Sequence, residues 1–187
     1  MRDLPSGGNA ALTRENPHMT QLVISLAWDA GSDATLSDAI VPLTLLCDGT
    51  GRVTSQRSVV FHNQMLDDQL SVRDLEHALG SDQEQVVIDI ERVPDEVSRI
   101  VFALIIDPSA GRNRHLGQLR GCRIRAVDDS RSAVLAQSVN LVGDLGRNTA
   151  AVLGWLYRDR RFWKLKVLGQ GYVKGLAALA DDFGVTW

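Results

Sequence analysis

Cysteine and proline are scarce in this chain of 187 residues, with two of the first and five of the second, and aromatic side chains make up only 5%. Two cysteines are too few for a disulfide-stapled scaffold, and Cys47 and Cys122, far apart in the chain, show no metal-ligand spacing. Both sit in strand-like stretches and are read as reduced and buried. For Cys122 the alternative is a thiolate favoured by its neighbours Arg120 and Arg123. Long apolar runs are also missing. The longest, residues 100–106, falls far short of the roughly 20 residues a spanning helix needs, so no transmembrane segment is expected. Residues 1–8 carry an acid and a proline where a secretory leader would place its apolar stretch, and the protein is read as cytoplasmic. Charge of one sign is not in excess either. Twenty Lys and Arg against 23 Asp and Glu leave a net charge of −3, so a nucleic-acid partner has no global electrostatic footprint. What is present, 44% hydrophobic and 23% charged residues, is the balance of a globular domain, and one domain over 1–187 is expected. Disorder as the main state is excluded.

The apolar pattern has the period of strands. Leu22, Ile24, Leu26 and Trp28 alternate with their neighbours, as a half-buried strand requires. Similar stretches at 40–47, 58–63, 85–90, 99–106, 122–127, 134–141, 150–157 and 162–168 bring the strand candidates to nine. Asp48-Gly49-Thr50-Gly51 and Asp128-Asp129-Ser130 supply turn chemistry between them, and Pro42 argues for an edge position or a bulge. Residues 1–20 read as an irregular arm or first strand. One confident helix is expected within 171–184, with Val173, Leu176, Leu179, Ala180 and Phe183 on its apolar face and Gly184 as its cap. A shorter helical turn is expected at Val93-Pro94-Asp95-Glu96. The fold class is therefore mainly β, a two-sheet β-sandwich with a C-terminal helix packed at one end.

Catalytic signals are lacking. The histidines (His18, His62, His77 and His115) are scattered, no serine stands in a nucleophile elbow, and the glycines form no phosphate loop. The chain is read as not an enzyme; the alternative is a site assembled in the fold around His62 and acidic loops. Carboxylates are more suggestive. Asp29, Asp33 and Asp38 follow the first strand, and Asp67, Asp68, Asp74, Glu76, Asp82 and Glu84 fall in a second acidic stretch. Two acidic loops at one end of a sandwich can supply the six to eight oxygens that calcium takes; the plainer reading is solvated loop acids. Trp155, Tyr157, Trp163 and Tyr172 offer either core or a ligand surface. Arg158, Arg160 and Arg161 read as a solvated turn, with the alternative of docking an acidic partner or anionic lipid.

Several of these stretches carry a resemblance. Leu156-Tyr157-Arg158, Phe162-Trp163-Lys164-Leu165-Lys166-Val167-Leu168-Gly169-Gln170-Gly171-Tyr172 and Gly175-Leu176-Ala177-Ala178-Leu179-Ala180-Asp181-Asp182-Phe183-Gly184 resemble the TerD family of bacterial tellurium-resistance and stress-response proteins. Leu26-Ala27-Trp28-Asp29, Phe61-His62-Asn63-Gln64, Val93-Pro94 and Gly117-Gln118 support it, His62 standing where the family usually has Tyr. The resemblance implies a β-sandwich that binds calcium between loops at one end, without an assignable catalytic activity. By position it implies Asp29, Asp38, Asp74, Asp82 and Glu84 as the metal residues. Leu36, Leu75, Gly80 and Gln83 stand where the family has Asp or Asn. Fewer anionic ligands weaken calcium, so the expected cofactor is calcium at a degenerate site or none. The partners implied are other proteins of a stress-response complex, with no nucleic acid; peripheral membrane contact through calcium or the basic turn is the alternative.

Overall fold

Alternation along the strands decides the architecture, because each half-apolar strand must turn one row of side chains inward. The computed structural model describes residues 2–61, 71–74, 82–111, 113–131 and 133–186, and of Asp74 only the backbone. Its twelve strands are β1 (Arg2–Leu4), β2 (Asn9–Ala11), β3 (Gln21–Asp29), β4 (Ile40–Cys47), β5 (Val59–Val60), β6 (Val72–Asp74), β7 (Glu84–Asp89), β8 (Arg99–Ile106), β9 (Gly121–Asp128), β10 (Ala133–Ser138), β11 (Ala150–Asp159) and β12 (Phe162–Tyr172). The α-helices among the described residues are α1 (Ala34–Asp38), α2 (Val142–Leu145) and, after the last strand, α3 (Gly175–Phe183). Sheet I runs β1-β10-β9-β3-β7-β6 and sheet II runs β2-β12-β11-β8-β4-β5. The sandwich expected from the sequence is present.

Between the sheets, Leu22, Ile24 and Leu26 of β3 and Ile124 of β9 join Ile100, Phe102 and Leu104 of β8 in one buried cluster. The opposite face of sheet II is apolar as well. There Leu45, Val101, Ala103 and Val152 form a second core with Leu179, Ala180 and Phe183 of α3. The C-terminal helix therefore seats on the outer face of sheet II, running from beside Thr149 at one end to beside Arg52 at the other, and makes a third layer. Gly184 ends it in the left-handed conformation (φ 69°), with the Val185 amide donating to the Ala180 carbonyl at 2.8 Å.

All nine expected strands occur, but the candidate at 58–63 shortens to Val59–Val60, its last two positions lying outside the described residues. The irregular arm resolves into β1 and β2, three-residue edge strands of opposite sheets. Pro42 has β8 on one side, while β5 pairs only with Thr44 and Leu45, so among the described residues its missing N–H costs no ladder bond there. Two expectations are corrected. Residues 93–96 form a single turn closed by the Val97 amide on the Pro94 carbonyl and do not continue as a helix, and the Val93 and Pro94 carbonyls also accept from the Arg158 guanidinium. Gly171 and Tyr172 belong to β12, paired with Ala151 and Ala150, so the helix starts later, and Val173 is 93% exposed instead of lying on its apolar face.

Candidate functional site at the loop end

Strand register gathers the five expected metal residues at one end of the sandwich. Asp29 ends β3 opposite Gly121, Glu84 begins β7 opposite Leu26, and Asp74 ends β6 opposite Val86. Asp82 precedes β7, and Asp38 closes α1 just before β4 begins. Residues 62–70 and 75–81, which hold the rest of the second acidic stretch together with His62 and His77, lie outside the described residues.

Shared location does not make a cage. Among the described residues no three His, Cys, Asp or Glu side chains come together as a metal site. What meets the carboxylates instead is arginine. Asp82, with a side chain only 9% exposed, forms an ion pair with Arg125 from β9. Asp33 forms another with Arg114, while its second oxygen caps α1 by accepting from the Leu36 amide at 3.0 Å. Those two bonds, the arginine's foremost, hold the Asp33 carboxyl below its ordinary 3.8. Asp29 turns its Oδ1 back to the Gly31 amide at 2.7 Å, and Asp38 is exposed. Gly31 has φ 62°, and a side chain there would run into the Arg120 guanidinium. Three guanidiniums thus enter the acidic end. Sequence reading missed them because the Asp82–Arg125 and Asp33–Arg114 pairs span 43 and 81 positions. Only the cap could have been found locally, from an Asp three positions before a buried Leu.

A cavity of about 340 Å³ opens beside this end, lined by Trp28, Asp29, Gln83, Arg123 and Arg125 among others. Its cations are engaged, Arg125 with Asp82 and Arg123 with the Ser138 carbonyl at 3.1 Å, and the Gln83 carbonyl accepts from the Trp28 amide at 2.7 Å. The two described histidines are remote from each other. His115 belongs to this end, next to the Leu116 amide that donates to Asn148, whereas His18 lies at the far end beside Asp128.

The thiols are buried in different sheets, Cys47 on β4 and Cys122 on β9. Burial pushes both up to about 12, so the cations near Cys122 do not make it a thiolate. Ellman's reagent is expected to find no reactive thiol in the native protein at pH 8, and two in denaturant; a fast-reacting thiol in the native state would contradict this.

The aromatic residues divide by register. Trp163 and Tyr172 are buried, with the Tyr172 hydroxyl donating to Asp182 at 2.9 Å, and burial followed by that carboxylate raises its pKa. Trp155 and Tyr157 stay partly exposed on the outer face of sheet II. Arg158 leaves the solvated turn expected of it. It turns inward, stacks over Trp163 at 4.8 Å and holds the 93–94 carbonyls.

The sequence pattern and this two-sheet frame meet in one family, whose TerD domain model matches residues 1–183. The chain belongs to the TerD domain family. It is 31% identical over 186 residues to the tellurium resistance protein TerD of Serratia marcescens, covering 97% of this chain and 96% of that one. Against general stress protein 16U of Bacillus subtilis the identity is 30% over 191 residues, covering 97% and 96%. A crystal structure of a homologue of the telluride resistance protein TerD from Streptomyces coelicolor superposes with a TM-score of 0.65 at 14% identity, over 87% of this chain and 95% of that one. This is a TerD-family tellurium-resistance and stress-response protein, mainly β, and the names of its relatives indicate no catalytic role. Among the described residues no helix is long and apolar enough to cross a membrane.

Proposed function

We propose that this TerD-family chain is a non-enzymatic, cytoplasmic binding or scaffold protein of a bacterial stress-response system, acting through protein partners, and that its calcium binding is reduced to at most one weak site. One observation carries the calcium part. Two acids at the loop end are neutralised from within, Asp82, one of the five expected metal residues, by Arg125 and Asp33 by Arg114, and Arg120 packs against Gly31. A guanidinium at a carboxylate removes both the charge and the lone pairs that a hard cation needs, and calcium affinity falls with each ligand lost. Any ion at this end would fall to the other acids at family positions, Asp29, Asp38, Asp74 and Glu84. If they hold one, they supply charge and oxygen donors that tie its loops together. Thiolate chemistry has no support, since burial pushes both Cys47 and Cys122 up to about 12.

Calorimetric titration of calcium into chelator-stripped protein tests this reading. At most one ion, bound more weakly than about micromolar, is expected, with little change in melting temperature. Uptake of two ions at micromolar or tighter affinity would sink it.

A further inference from the structure

Among the described residues the outer face of sheet II is only partly roofed by α3, and what the helix leaves open has a chemistry of its own. Helix residues Leu179, Ala180 and Phe183 cover the apolar rows of β4, β8 and the start of β11. Beyond them, toward the end of the sandwich opposite the acidic loops, the register lines up Lys166 with Trp155 and Val101, then Lys164 with Tyr157 and Arg99. Val101 belongs to the outer core, so these facing residues share its side of the sheet. Trp155, Tyr157, Lys164 and Lys166 are all partly exposed. Arg99 crosses its own row to lie over the Trp155 ring at 4.3 Å, and Arg161 in the β11–β12 turn lies over Phe162 at 5.1 Å. Lys164 meets Asp159 at 2.5 Å. On this strip stand four cations, Arg99, Arg161, Lys164 and Lys166, of which Lys164 is paired with Asp159, on a chain whose net charge is −3. The sign is opposite to that of the whole protein.

We infer that this strip is a docking surface for an acidic segment of a partner protein, its carboxylates pairing with Lys166, Arg99 and Arg161 while its apolar side chains lie along Trp155 and Tyr157. Charge complementarity and half-buried aromatics are what such a surface uses for orientation and affinity. The alternatives fit less well. A nucleic-acid surface stacks bases on open ring faces, and the face of Trp155 is covered by Arg99. A membrane surface inserts protruding apolar groups, and the large apolar side chains exposed among the described residues, Val139 and Val173, follow β10 and β12 at the other end of the sandwich. The inference rests on the reading of the chain as a binding protein, and is independent of whether its loop end holds calcium.

The test uses the full chain and a labelled peptide rich in Asp and Glu with interspersed Leu, followed by fluorescence anisotropy. Binding that weakens with salt is expected, together with a loss of about tenfold or more in Lys166→Glu. Lys174→Glu, the same charge change at an exposed position beyond this surface, should bind as the native protein does. Lys166→Ala, which adds no opposing charge, should lose less than Lys166→Glu, and unchanged melting curves separate surface loss from unfolding. No peptide binding, equal losses in the position 166 and 174 variants, or sensitivity to Lys166→Glu only with single-stranded oligonucleotide or anionic vesicles would each overturn the inference. None of these outcomes alters the calcium titration, which tests the loop-end reading separately.

Discussion

Phe102→Ala is expected to lower the unfolding free energy by about 3–5 kcal/mol, seen as a drop in the urea midpoint with little change in slope. Phe102 is fully buried at the middle of β8, with β11 on one side and β4 on the other, and its ring belongs to the cluster between the sheets. Truncation removes the ring's burial and leaves a hole that the packed strands around it fill only in part. Against a total stability of roughly 5–15 kcal/mol for a single domain, this is a large share. Ala103, the next residue, faces α3 instead. Ala103→Gly, which removes one methyl from the second core, should cost far less. A Phe102→Ala loss below about 1 kcal/mol would mean that the space between the sheets is not packed as described.

Arg125→Leu is expected to cost about 3 kcal/mol, the lower end of what breaking one side of a buried pair costs. Asp82, with a side chain 9% exposed, would lose its counter-charge, while Arg125, at 26%, is the wetter partner, which places the effect at the lower end. Removing both members in Arg125→Leu/Asp82→Leu should restore most of the loss, because the penalty comes from the uncompensated carboxylate. The single variant also bears on calcium. With its guanidinium gone, Asp82 becomes available as a ligand, so added calcium should raise the melting temperature of Arg125→Leu more than that of the native protein. Equal stability of the single variant and the native chain would show that the pair carries nothing.

Much of the fold was legible because its signals are local. Alternation at Leu22, Ile24, Leu26 and Trp28 places inward and outward residues with no knowledge of the partner strand, and turn acids such as Asp48 and Asp128 satisfy their own neighbours' amides. The errors came where local and distant partners compete. Val93-Pro94-Asp95-Glu96 has a helical start by composition, yet it closes only one turn, and its first two carbonyls also accept from Arg158, more than sixty positions away. Gly171 and Tyr172 look like the lead into a helix, but pairing with β11 holds them extended. The aromatic residues of the C-terminal stretch could not be sorted into core and surface from spacing alone. A register shift between Val152 and Gly154 decides that Leu156 faces inward and Trp155 outward.

The loop end divides the same way. By itself the sequence determined the sandwich, the family resemblance and which acids stand at family positions, since these follow from period-two burial and from residues read in order. Tertiary structure alone decided that arginine meets Asp82 and Asp33 at the loop end. It alone decided that α3 roofs one part of sheet II and leaves the cationic aromatic strip open. The physical reason is that charge pairing and face coverage depend on distances between residues far apart in the chain, which strand register sets and composition does not.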